Sequence, residues 1–178
     1  ILQKPSIGKK FVDLIIAVAV ISMFVFHMYS ASFGVFPGYF LSSVHWALVG
    51  SFIILTKPLK FKFGWIIDAL LLLANVYICY HQIQIQENFL IMAGMYTQVD
   101  IIVSMAAIVL ALIIAFRVVG IILPIIAILF IIYALVGRFI PGMFNTVRFS
   151  ITRITPYIYT AYEGMFGQTL MVSAQFIY

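Results

Sequence analysis

Five apolar runs, at residues 11–30, 40–56, 65–81, 100–117 and 119–136, follow one another with only short polar breaks between them. Each approaches the roughly twenty residues that a helix needs to cross about 30 Å of hydrocarbon. In lipid, backbone N–H and C=O groups meet no water, so a spanning run must satisfy its hydrogen bonds internally. Composition agrees: 65% of the residues are hydrophobic and 8% charged, where soluble domains carry about 45–50% and about 25%. The reading is an all-α, multi-pass integral membrane protein with about five transmembrane helices and a C-terminal interfacial or re-entrant helical segment.

The first run has a basic flank (Lys4, Lys9, Lys10) and small residues at Ser30–Ser32, which imitates a signal peptide. It is longer than the usual apolar stretch of about 7–15 residues, so a retained first span is expected. The opening Ile1, and the apolar ending MVSAQFIY without a polar flank, lead us to expect a longer chain at both ends.

The breaks have physical reasons. Gly34, Pro37 and Gly38 suit a tight uncharged turn, and Lys57, Lys60 and Lys62 alternate with apolar residues as at a headgroup boundary. Trp46, Trp65, Tyr77 and Tyr80 suit aromatic belts. Between His81 and Val99, Gln82, Gln84, Gln86, Glu87 and Asn88 predict a loop outside the hydrocarbon. Thr97 followed by Asp100 predicts a capping box for the fourth span. Arg117 to Gly120 leaves almost no loop, hence a tight hairpin, and Pro124 is expected to kink the fifth span.

Lysine and arginine orient the bundle. With the N-terminus inside, Lys4, Lys9, Lys10, Lys57, Lys60, Lys62 and Arg117 are cytoplasmic, while Arg138, Arg148 and Arg153 are outside. Seven against three favours this arrangement under the positive-inside rule. The lysines cluster at the ends of apolar runs and form no groove, so the expected partner is the lipid bilayer and not nucleic acid. Cys79 is the single cysteine, which excludes an intramolecular disulfide and gives no Cys/His metal signature.

Ionisable and amide groups within spans are costly and often functional. Asp13 lies one turn from Lys9 and Lys10, which favours a local ion pair, and Asp100 is absorbed by its cap. Asp68 and Asn75 stand seven apart on one helix and share a face. Interhelical hydrogen bonding is the favoured reading, with an ion or proton relay as the alternative. His27 and His45 fall toward the same side of the bundle and invite a bis-histidine haem site, with His81 left unpartnered. No phosphate-binding glycine loop, zinc-binding helix motif or nucleophile–base pair is apparent, so neither an enzyme nor a metal site is expected.

Residues 148–178 combine Arg148, Arg153 and Glu163 with Tyr157, Tyr159 and Tyr162. Cations and phenols together suit an interfacial brace at headgroup level, with a glycine-assisted turn at Gly164 and Gly167. The bland alternative is a loop and the start of another span.

The pattern Tyr-Ala-Leu-x-Gly-x-x-x-Pro-Gly (Tyr133 to Gly142) and the block Glu-Gly-x-Phe-Gly (Glu163 to Gly167), followed by Val172-Ser173-Ala174, resemble the junction of fused TRAP transporter permeases. These are the tripartite ATP-independent periplasmic family, and the likeness is to the TAXI type. Met171 departs from the family pattern, which has glycine there. The resemblance implies that residues 1–117 correspond to the four-helix small subunit and 118–178 to the start of the large transport subunit. It implies a secondary active importer of an organic anion such as a carboxylate, served by an extracytoplasmic solute-binding receptor. An elevator-type movement would be driven by a sodium or proton gradient. The substrate and coupling-cation sites, set in broken helices, are then expected downstream of Tyr178, in the remainder of the large subunit. This stretch would serve as scaffold, without catalytic residues or a bound cofactor, in a bacterial or archaeal cytoplasmic membrane with its N-terminus cytoplasmic. The alternative of a different class is a membrane anchor subunit of a redox or signalling complex.

Overall fold

The computed structural model describes residues 7–34, 36–88, 95–147 and 149–176, with side chains from Asp13 to Gln175. Every regular element among them is helical. Helix α1 spans Ile7–Phe33, α2 Gly38–Thr56, α3 Gly64–Glu87, α4 Gln98–Val119 and α5 Ile122–Val136. Two short 3-10 turns, Gly137–Phe139 and Gly142–Phe144, lead to α6 (Ile151–Thr160) and α7 (Gln168–Phe176). The segments Asp13–Phe33, Gly38–Thr56, Gly64–Glu87, Gln98–Val119 and Ile122–Phe139 are each long and apolar enough to cross a membrane.

The five long helices run up and down. Lys57, Lys60, Lys62 and Arg117 mark one end of the bundle, hereafter the basic end. The turn at Gly34–Pro37 and the start of α4 mark the far end. Gly34 (φ 59°) and Gly120 (φ 90°) occupy conformations open to glycine at little cost, which permits both turns to be short. The expected capping box is present: the Thr97 hydroxyl accepts from the Asp100 N–H at 3.3 Å, and Asp100 accepts from the Thr97 N–H at 2.6 Å.

The core lies between α2, α3 and α4, where Ile54, Ile78, Val103, Ala107, Leu110 and Ile114 interdigitate. Tyr159 of α6 and Phe166 close it at the far end. Helices α1 and α5 are peripheral. His27 is the one buried side chain among the described residues of α1, and Pro124 the one in α5. Leu14, Phe24, Leu73, Val76, Leu129 and Phe130 all point outward. Such a surface is untenable in water but matches a hydrocarbon solvent.

Two expectations are corrected. The stretch after His81 is no loop: α3 continues to Glu87, and Gln82 is buried. Asn75, Ile78, Gln82 and Ile85 repeat at helical spacing, so the glutamines extend the inward face of the helix. Pro124 does not kink the fifth span. That helix begins at Ile122, so the proline falls in the first turn, where its missing N–H costs no intrahelical bond.

Candidate functional site: buried polar clamps at the two ends of the bundle

At the basic end, Asp68 sits one turn into α3 and Arg117 occupies the last turn of α4. Arg117 Nη2 donates to Asp68 Oδ1 at 2.6 Å, and its Nη1 donates to the Lys57 carbonyl at 3.2 Å. The other carboxylate oxygen, Oδ2, accepts from the Leu59 N–H at 2.9 Å. Both side chains are nearly buried, at 5% exposure for Arg117 and 11% for Asp68. One ion pair therefore ties α3, α4 and the connection from α2 to α3 together. Arg117, read from sequence as a cytoplasmic topology residue, is the partner that Asp68 lacked. The available signal was that both residues lie within about one turn of the basic end of their helices.

Seven residues farther along α3, Asn75 Nδ2 donates to the Ala47 carbonyl at 2.9 Å and to Ser51 Oγ at 3.2 Å. A Cβ on Gly50 would stand 2.8 Å from Asn75 Oδ1, so glycine there lets α2 come close. Asp68 and Asn75 share a face, about 10 Å apart along the helix axis, and each has its own partners. The structure does not join them into a relay.

The far end holds a larger polar assembly. His81 Nε2 lies 3.1 Å from Asp100 Oδ1, so the histidine expected to be alone is paired with the capping aspartate. Tyr159 is fully buried and its hydroxyl donates to the Ile78 carbonyl at 2.6 Å. Burial pushes its phenol above the ordinary tyrosine range, so it remains a neutral donor. Gln86 donates to the Thr160 carbonyl at 2.8 Å, and Tyr96 bonds the Thr160 hydroxyl at 2.9 Å. Ser42 donates to the Phe166 carbonyl at 2.8 Å.

These bonds seat the hairpin of α6 and α7 against α2, α3 and α4. Ile78 lies nine residues, about 14 Å, below the end of α3, so α6 reaches well down the bundle. The turn between α6 and α7 explains its glycines. A Cβ on Gly164 would strike the Ile158 carbonyl oxygen, and one on Gly167 the Tyr162 carbonyl oxygen. The same carbonyls accept from Met165 N and Gln168 N at 2.7 Å each. Phe166, between the glycines, packs edge-on against Trp46 and Tyr159. On α6, Thr155, Pro156, Tyr159 and Thr160 face the bundle, while Arg153 and Tyr157 stay exposed. Arg153 and Glu163 form no ion pair with each other. Arg148, and the lysines expected to pair with Asp13, lie outside the described side chains.

His27 Nε2 and His45 Nδ1 are 2.9 Å apart, and His27 Nδ1 is 2.7 Å from the Met23 carbonyl. With both rings neutral, the carbonyl fixes His27 Nδ1 as donor, so His45 donates to His27 Nε2. Two imidazole nitrogens bound on opposite sides of one metal ion, as in a bis-histidine haem, would stand about 4 Å apart, twice a metal–nitrogen bond of about 2 Å. The observed pair is a hydrogen bond between α1 and α2, not a vacant axial site. Among the described residues, no group of three or more potential metal ligands comes together.

Fold and polar geometry together define the class: an all-α, multi-pass membrane protein whose buried polar groups fasten helix to helix. Comparisons with protein-family models, with curated proteins and with solved structures return no match.

Proposed function

We propose that this chain is the scaffold portion of a secondary active, receptor-dependent importer of organic anions, of the TRAP permease kind. The observation that carries the reading is the use made of the Glu163–Gly167 block. Its glycines build a turn that tolerates no side chain, and its phenylalanine wedges that turn into the core formed by α2, α3 and α4. Gly164, Phe166 and Gly167 of that block are thus used to join the region after the fourth helix to the bundle before it, as a scaffold requires. The polar groups at both ends support the same reading, since they are spent on bonds between helices.

On this reading the coupling cation and the substrate bind elsewhere in the transporter, and the N-terminus is cytoplasmic in a bacterial or archaeal inner membrane. The test is uptake of a labelled carboxylate by vesicles carrying the intact protein with its receptor added. Uptake should require both the receptor and an inward sodium or proton gradient. Uptake driven by ATP without a gradient, or none under any gradient, overturns the proposal.

A further inference from the structure

Helices α5 and α6 both border an open cavity of about 530 Å³, with Phe130, Ile131 and Ala134 on one wall and Arg153, Ile154 and Tyr157 on the other. We propose that this groove is a binding site for one anionic phospholipid, with its phosphate at Arg153 and an acyl chain lying along α5. The inference is independent of the transport reading.

The wall formed by α5 is continuous with an outward surface of Ile126, Leu129 and Phe130, all exposed. The groove therefore opens directly onto the hydrocarbon. Apart from Arg153 and Tyr157 the lining is apolar (Phe130, Ile131, Ala134, Ile154), which suits an acyl chain lying beneath one charged headgroup. Ala134 lies five residues, about 7 Å, from the end of the span at Phe139, so the cavity reaches headgroup depth.

Charge selects the headgroup. Arg153 forms no ion pair among the described residues, and its guanidinium matches a phosphate with paired hydrogen bonds. Tyr157, one turn on, adds a phenol at the same boundary. Arg138, one turn beyond Ala134, adds a second cation near the end of α5. Arginines at this end run against the lysine distribution of the chain, and a bound phosphate supplies the counter-charge that protein carboxylates do not. Basic pockets between membrane helices hold anionic headgroups in this way.

The experiment uses the intact chain in nanodiscs doped with phosphatidylglycerol or phosphatidylcholine, each carrying a photoreactive group on an acyl chain. Crosslinked peptides are mapped by mass spectrometry. Phosphatidylglycerol should label α5 and α6 at Phe130–Ala134 and Ile154–Ile158 about tenfold more than phosphatidylcholine, whose choline cation offsets its phosphate and is repelled by Arg153 and Arg138, a factor equivalent to about 1.4 kcal/mol. Arg153→Gln should remove that preference, and Ala134→Leu, which narrows the groove from the apolar side, should lower labelling by either lipid. Lys60→Gln, at the basic end, should leave the labelling unchanged. Equal labelling by the two lipids overturns the proposal, as does a pattern indifferent to both groove variants. So does a dimer that replaces the lipid and is lost in Ala134→Leu.

Discussion

Asp68 shows how one side chain in a membrane helix acquires its meaning from a partner. Removing either member of a buried ion pair strands the other charge, at a cost of about 3–5 kcal/mol. Asp68→Ala should therefore lower the unfolding temperature sharply in detergent, while the double replacement of Asp68 and Arg117 by leucine should recover most of the loss. Equal destabilisation by the single and double variants would show that the pair does not act as a unit. Asp68→Asn keeps the side-chain shape and one acceptor for Arg117 but turns an NH2 toward the Leu59 N–H, so it should destabilise less than Asp68→Ala, with assembly and uptake retained. Preserved assembly with lost uptake would instead give Asp68 a transport role. The sequence marked Asp68 and Asn75 as groups that need partners, because neither is comfortable toward lipid. It did not reveal Arg117, Ala47 or Ser51 as those partners, since sequence separation carries no record of which helix lies opposite.

Among the elements, the α6–α7 hairpin shows most clearly what local pattern conveys. The Gly164 and Gly167 spacing predicted a turn, and the capping box at Thr97 and Asp100 was readable because both features are completed within a few residues. The depth at which Tyr159 and Phe166 dock was not readable, because Ile78, Trp46 and Ser42 lie far away in the chain. Gly167→Ala should force the Tyr162 carbonyl aside, with a penalty of about 1–3 kcal/mol by analogy with overpacked cores. Hydrogen exchange should then quicken at α6 and α7 while α2 to α4 stay protected. Unchanged exchange throughout would refute the tight turn. Two misreadings belong at this level. Polarity in Gln82 and Gln86 was taken for a loop because a glutamine facing another helix looks, in sequence, like one facing water. Pro124 was taken for a kink because its effect depends on a helix boundary only two residues away.

For the whole molecule, the alternation of five spans places Lys60 and Asn88 at opposite ends. With Cys79 buried in the core, background labelling should be low. With the N-terminus cytoplasmic, as proposed, cysteine placed at 60 should react with a membrane-impermeant maleimide only after the vesicles are opened, and cysteine at 88 should react from the outside. Labelling from the same side would reject the topology. Helix α1, tied to α2 by the bond between His27 and His45, and α5, whose main partner among the long helices is α4, leave wide faces to lipid.

The amino-acid sequence alone determined the solvent, the number of spans and the capped start of α4, because hydropathy, length and capping are satisfied within one run of residues. Only the tertiary structure decided which polar groups pair, that α3 carries its glutamines inward, and that the tyrosine-rich segment folds back onto the bundle. Those outcomes depend on which helix faces meet, and a buried hydrogen bond is worth its cost only where a donor on one helix finds an acceptor on another.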